Sequence, residues 1–243
     1  YNNILRIPSG IAENMSFGSG IHEALEKLFS DMKNNNQVFP SEEQFQNYFI
    51  FWIQKNKEKF STEGYQTKMK YGLELLSIIY KTNIDSWHKI VNVEFKTKAV
   101  LNGIPLKGFI DKVEYYDNEI VLIDYKTGDK DSAYTKEKLK TKEQDSKDIG
   151  GDYWRQAMFY KILLDNDVTN KYHVKYAQYD FLEPGKKTKE LPKPQIFEFR
   201  NDEIEQVKEQ ITENWQKIQN HEFYEGCGDE KCTCCSFAKT LEK

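Results

Sequence analysis

Nothing in this 243-residue chain approaches the run of about 20 apolar residues that a helix needs to cross a bilayer, so no membrane span is expected. Cysteine is nearly lacking, and all four copies (Cys227, Cys232, Cys234 and Cys235) sit near the C-terminus. A secreted disulfide framework would distribute them, so a reducing, cytoplasmic setting is expected. No segment reads as a signal peptide, and the first residue is Tyr1 rather than Met, which suggests a domain excised from a longer protein. A positive charge balance is missing too: 35 Lys and Arg against 39 Asp and Glu leave −4. That argues against DNA binding by bulk electrostatics alone, but it is compatible with an acidic site that holds metal. No internal repeat is visible.

Core material is ample. Aromatics make up 14% of the chain, and 30% charged residues give it a polar surface. The length allows one substantial core or at most two small ones. The lysines gather at Lys130, Lys136, Lys138, Lys140, Lys142 and Lys147, and again at Lys186, Lys187, Lys189 and Lys193. Two solvated loops account for them; tracking of phosphates is the sharper alternative.

The first third reads helical. Ile21, Leu25, Leu28, Phe29 and Met32 form a stripe entered through a Gly18-Ser19-Gly20 turn. Phe45, Tyr48, Phe49, Trp52 and Ile53 form a second, capped at Ser41 with glutamates following. A third covers 62–82, with Met69, Leu75, Leu76, Ile78 and Ile79. From Lys89 the period shortens to that of strands, at 90–100, 106–116 and 119–126, with an Asn102-Gly103 hairpin signal. Ile120-Val121-Leu122-Ile123 is apolar on both faces and predicts a central strand covered by helices on each side. Residues 129–151 lack periodicity and end in Gly150-Gly151, which reads as a long mobile loop. A helix at 152–165, strands near 172–182 and 195–199, and a helix at 202–219 complete the pattern. The order describes a single α/β domain with a mixed central sheet between helices. Its parts are a helical segment 1–88, a sheet with its helix at 89–200, and a C-terminal helix with a Cys-rich tail at 201–243.

The chemistry concentrates on one hairpin. A turn at Asp117-Asn118 pairs 116 with 119, and therefore Asp111 with Asp124. Opposed residues share a face, with Cβ atoms about 5 Å apart. Alternation puts Lys126 on the face of Asp124. Two carboxylates that close repel, and a divalent cation is the usual remedy. An acid-x-Lys triplet is no signal by itself, because the chain has five (at 31, 94, 124, 145 and 229). Only the one at Asp124 ends a buried apolar strand and faces a second acid. A surface salt bridge would explain Lys126 but not why two acids share its face.

Gly108-Phe109-Ile110-Asp111-Lys112 followed by Ile123-Asp124-Tyr125-Lys126-Thr127-Gly128 resembles the PD-(D/E)XK nuclease superfamily, specifically its RecB-like branch. The fold implied is restriction-endonuclease-like, a mixed central sheet flanked by helices. Taken alone, His22 is more readily a surface or satisfied core histidine than a ligand; the resemblance makes it the histidine of the upstream helix. It likewise places Gln156 and Tyr160, one turn apart on Tyr153-Trp154-Arg155-Gln156-Ala157-Met158-Phe159-Tyr160, beside the site and the DNA strand. With Phe181-Leu182-Glu183-Pro184 and the terminal cysteines, the segment is similar to the nuclease domain behind UvrD-like helicases. Two positions depart from the pattern: Lys112 stands where arginine is common, and Asp124 where Glu is also allowed.

The resemblance implies a divalent-metal-dependent deoxyribonuclease acting on single-stranded DNA in repair or recombination, delivered by helicase motor domains of the same or a partner chain. His22, Asp111, Asp124 and the Tyr125 carbonyl would hold Mg²⁺ or Mn²⁺. Asp111, Asp124, Lys126, Gln156 and Tyr160 would form the catalytic set, with Lys126 positioning water or stabilising charge. Glu94, on a neighbouring strand, is a weaker candidate for orienting a water. Some relatives bind an iron–sulfur cluster through one cysteine ahead of the histidine helix, and no cysteine precedes Cys227 here. Inert thiols suit the cluster better than zinc, because adjacent Cys234 and Cys235 fit one tetrahedron poorly. The competing functions are a catalytically silent DNA-binding module of a helicase complex and a restriction-type endonuclease, for which no recognition domain is evident.

Overall fold

The computed structural model describes residues 12–142, 149–185 and 188–222. The four cysteines and Lys147, Lys186 and Lys187 lie outside the described residues, so expectations about them have no structural counterpart.

Side-chain oxygens start two of the three N-terminal helices. Ser41 accepts from the Gln44 N–H at the head of α2 (Glu42–Lys55), and Ser61 accepts from the Gly64 N–H at the head of α3 (Thr62–Asn83). The carboxylate of Glu13, in the first turn of α1 (Glu13–Asn34), accepts from the Ser61 N–H at 2.8 Å and ties α1 to α3. The Gly18-Ser19-Gly20 segment is not the turn expected from sequence, because α1 runs straight through it. Its glycines serve close packing instead. A Cβ on Gly18 would sit 2.7 Å from Thr127 Oγ1, and one on Gly20 would sit 2.7 Å from the Trp52 ring.

Five strands follow: β1 (Val91–Leu101), β2 (Ile104–Tyr116), β3 (Glu119–Lys126), β4 (His173–Phe181) and β5 (Gln195–Glu198). They form one mixed sheet in the order β1-β2-β3-β4-β5, antiparallel except for the parallel β3–β4 pair. Asn102 (φ 49°) and Gly103 (φ 83°) turn the first hairpin, and Asp117 (φ 47°) opens the second. The fold is α/β, a mixed sheet flanked by helices.

Strand β3 is central, as its sequence predicts. Ile120 and Leu122 join a core with α5 (Asp152–Asp165) and the start of α6 (Asn201–Gln219). Val121, Ile123 and Tyr125 join a second core with α1, α2 and α3 on the opposite face. A strand buried on both faces cannot alternate apolar with polar, hence the continuous apolar run.

Residues 129–151 are more ordered than the expected mobile loop. Asp129 caps a short helix, α4 (Lys130–Thr135). Ala133 and Leu139 are buried in the α5-side core, and the N–H groups of Gly151 and Tyr153 bond the carbonyls of Lys140 and Lys138. Two apolar anchors in a segment of lysines and aspartates are too few to produce a periodic signal.

Candidate active site

The β2–β3 ladder runs from Tyr116↔Glu119 to Lys112↔Ile123 and stops one step short of Asp111 and Asp124. The hairpin register is therefore the expected one, but the rung carrying both acids is open. The Tyr125 N–H donates instead to Asp111 Oδ2 at 2.7 Å, so a carboxylate takes the place of a backbone acceptor.

Sequence gave no warning of the matching distortion on β1. Glu94, in register with Asp111, has φ 46° and makes no ladder pair between Val93↔Lys112 and Phe95↔Ile110. Side-chain alternation reverses at this rung. Val91 and Val93 face α1, whereas Phe95, Ala99 and Leu101 face α5. A non-glycine residue with positive φ is uncommon, and such backbones gather at functional sites. No Gly or Asn marks the position, so periodicity could not reveal it.

Asp124 and Lys126 lie on the α5 face. The Tyr160 hydroxyl donates to Asp124 Oδ1 at 3.1 Å, and Gln156 Nε2 donates to the Tyr160 oxygen at 2.8 Å. Lys126 Nζ donates to Gln156 Oε1 at 2.9 Å, and the Tyr179 hydroxyl reaches the same oxygen at 3.1 Å. Tyr179, the register partner of Asp124 on β4, was not among the sequence candidates, because only the strand register brings it here. The rings of Tyr153 and Tyr179 lie 4.5 and 4.8 Å from the Lys126 ammonium.

Asp124 Oδ2 is the exception to this satisfaction. It lies 2.5 Å from Lys126 Nζ, close enough for an ion pair, yet no group meets it with hydrogen-bond geometry. Burial pushes the Asp124 carboxyl up to about 6 and the nearby Asp111 charge adds to this, while Lys126 pulls the other way. Burial and the two carboxylates raise Tyr160 as well, so its hydroxyl stays a donor.

His22 reaches the same cleft from α1. Its Nδ1 is 3.4 Å from Asp111 Oδ2, and its ring stands edge-on to Tyr125. Burial opposes its charge, but the hydrogen bond and charge of Asp111, helped by Asp124, outweigh it and raise its pKa. The close approach of α1 to Thr127 at Gly18, one turn before His22, sets this distance. The cleft, about 760 Å³, is also bordered by Glu23, Glu26, Glu94, Lys126 and Tyr153. Burial and the Asp111 charge raise Glu94 too. So acidic a mouth repels a phosphate unless cations occupy it.

The structure thus brings His22 to Asp111 and joins Asp124, Lys126, Gln156 and Tyr160 in one network, with the Tyr125 backbone linking the two. Among the described residues, however, no three His, Cys, Asp or Glu side chains converge as a ready-made metal site. The donors suit a hard divalent ion, being carboxylates plus one imidazole. The buried Asp124 oxygen without a hydrogen bond is where such an ion fits.

A family model described as the PD-(D/E)XK nuclease superfamily matches residues 1–240. No curated protein matches. Among solved structures, a Eubacterium rectale protein described as "Putative exonuclease" aligns at 16% identity over 85% of this chain and 78% of its own, with a TM-score of 0.49. SSO0001 aligns at 13% identity over 80% of this chain and 86% of its own, with a TM-score of 0.32. At such scores the two likenesses add nothing to the assignment, which rests on the family match spanning nearly the whole chain. The chain belongs to the PD-(D/E)XK nuclease superfamily.

Proposed function

We propose that the chain is a single RecB-like nuclease domain that hydrolyses phosphodiester bonds of single-stranded DNA, supplied by a UvrD-like helicase motor in a repair or recombination machine of the cytoplasm. The observation that carries this reading is the buried Asp124 oxygen that lacks a hydrogen bond, beside Lys126 and across an open rung from Asp111. His22, Asp111, Asp124 and the Tyr125 carbonyl would hold Mg²⁺ or Mn²⁺. A divalent ion there supplies Lewis acidity at the phosphate and offsets its charge.

The remaining work falls to the protein. Tyr160 and Gln156 fix the Asp124 carboxylate through Oδ1, which leaves Oδ2 directed away from them. Gln156 also holds the Lys126 ammonium, between two aromatic rings, where it stabilises negative charge that develops on the phosphate. Asp111, fixed by the Tyr125 N–H, keeps His22 facing the cleft.

One observation favours a silent DNA-binding module instead: the donors do not converge in threes among the described residues. One assay separates the two readings. Labelled single-stranded DNA is incubated with the chain and Mn²⁺ or Mg²⁺, beside Asp124→Ala and Lys126→Ala. Cleavage by the unaltered chain alone supports the nuclease; binding without cleavage under either metal supports the silent module.

A further inference from the structure

On the sheet face opposite Asp124, a second cavity of about 410 Å³ opens between α3, β2–β4 and the segment 191–194. Its floor is polar. Tyr125 and Asp180 are register partners on β3 and β4, and the Lys112 ammonium lies 5.4 Å from the Tyr125 ring. Lys112 pairs with Glu114 at 2.9 Å, and Gln178 Nε2 donates to Asp180 Oδ1 at 2.8 Å. The Tyr125 hydroxyl, on a residue only 5% exposed, has no hydrogen-bond partner. An orphaned hydroxyl lining a cavity between a cation and a carboxylate calls for an occupant.

Its chemistry is narrowly bounded. Lys112 opposes a cation, and Asp180 with Glu114 opposes a simple anion. An apolar molecule would leave the Tyr125 hydroxyl unsatisfied. Leu25, Ile79 and Leu182 offer apolar surface to the faces of a flat ring. At the mouth, His88 and Tyr116 stack with centroids 4.2 Å apart, and Lys193 is exposed. The volume lies within the roughly 300–1,000 Å³ typical of small-molecule pockets.

We propose that this cavity binds a guanine nucleotide. Asp180 accepts from the N1–H and amino edge of the base, Lys112 and the Tyr125 hydroxyl donate to its acceptors, and Lys193 meets the phosphate. Guanine sets adjacent donors beside a carbonyl oxygen, which matches a carboxylate beside a lysine. The ligand is either a free mononucleotide or a guanine within a DNA strand. Binding here would be felt at the catalytic cleft through Tyr125, whose side chain lines this cavity while its N–H holds Asp111.

The test is a fluorescence titration of the full 243-residue chain in EDTA, so that the catalytic metal plays no part; Trp87 borders the cavity as reporter. The probes are dGMP, dAMP, dCMP, dTMP, inorganic phosphate, and oligothymidylate with and without one internal guanine. We expect dGMP to bind most tightly, Asp180→Asn to weaken it at least tenfold, and Asp124→Ala to leave it unchanged. Lys193→Ala, a surface change that spares folding, should weaken dGMP but not guanosine. Saturation by dGMP but not by the guanine-bearing strand identifies the free nucleotide as ligand; saturation by both admits the strand. No saturation by dGMP, tighter binding of another mononucleotide, or loss in Asp124→Ala in place of Asp180→Asn overturns the proposal. Because metal is absent, a failed cleavage assay would not affect this result, nor would this result decide that assay.

Discussion

Two buried lysines on opposite faces of the sheet show how similar charges serve different ends. Lys112 is 1% exposed, bonded to Glu114 and set 4.5 Å from the Phe29 ring, and the Tyr116 hydroxyl takes the second Glu114 oxygen. Lys126 is likewise ion-paired and ringed by aromatics, but its partner Asp124 keeps an oxygen without a hydrogen bond. The first pair is closed on the protein itself. The second is left incomplete, and incompleteness in a buried polar network is costly unless another group completes it.

The comparison breaks most decisively under alanine substitution. Lys126→Ala should lower cleavage by about 10²–10³-fold, the usual loss of one electrostatic stabiliser, with Asp124→Ala at least as severe, measured by initial rates on labelled DNA. Lys112→Ala should act on stability instead. It leaves Glu114 buried without its cation and should cost about 3–5 kcal/mol in urea denaturation. Equal destabilisation by both lysine substitutions would erase the distinction.

A smaller effect is expected at Gly18. Val there meets Thr127 Oγ1 and should push α1 outward, at about 1–3 kcal/mol, carrying His22 away from Asp111. Thr127→Ala in the same chain should restore part of the lost cleavage. If the single variant is as active as the parent, the spacing does not matter.

The pH dependence sharpens the same contrast. Asp124, pushed up to about 6, and His22, also raised, both bind protons more tightly folded than unfolded. Their stabilising contribution is complete below the unfolded values and is lost as pH rises, through about 6 for Asp124 and then through the raised value of His22. Metal-free protein should therefore lose stability from pH 4 to 8 more steeply than Asp124→Asn does. Mn²⁺ should raise the melting temperature at pH 8 and fail to at pH 5; equal stabilisation at both would oppose proton–metal competition. The smallest change should come from Tyr160→Phe, which removes one hydrogen bond to Asp124 and costs about 1 kcal/mol of it in either rate or stability.

Much of the fold was legible because its signals are local. Ser41 before two glutamates, Asn102-Gly103, and the apolar run at 120–123 each act within a few residues of themselves. Period two put Lys126 with Asp124, and helical spacing put Gln156 with Tyr160. What escaped depends on distant partners. Gly18 and Gly20 look like a turn until Thr127 and Trp52 are set against them. Tyr179 joins the network only through the β3–β4 register. Lys112, read as a substitute for arginine after Asp111, is buried against Phe29 and Tyr125 because alternation reverses beside it. The positive φ of Glu94 has no marker in its residue type.

The central claim is that Asp124 and its neighbours form a cation site. Calorimetric titration of the metal-free chain with Mn²⁺ at pH 8 addresses it without reference to cleavage. The account expects saturable binding that weakens at least tenfold in Asp111→Ala, Asp124→Ala and His22→Ala. Absence of binding, or affinity unchanged in all three variants, would contradict it.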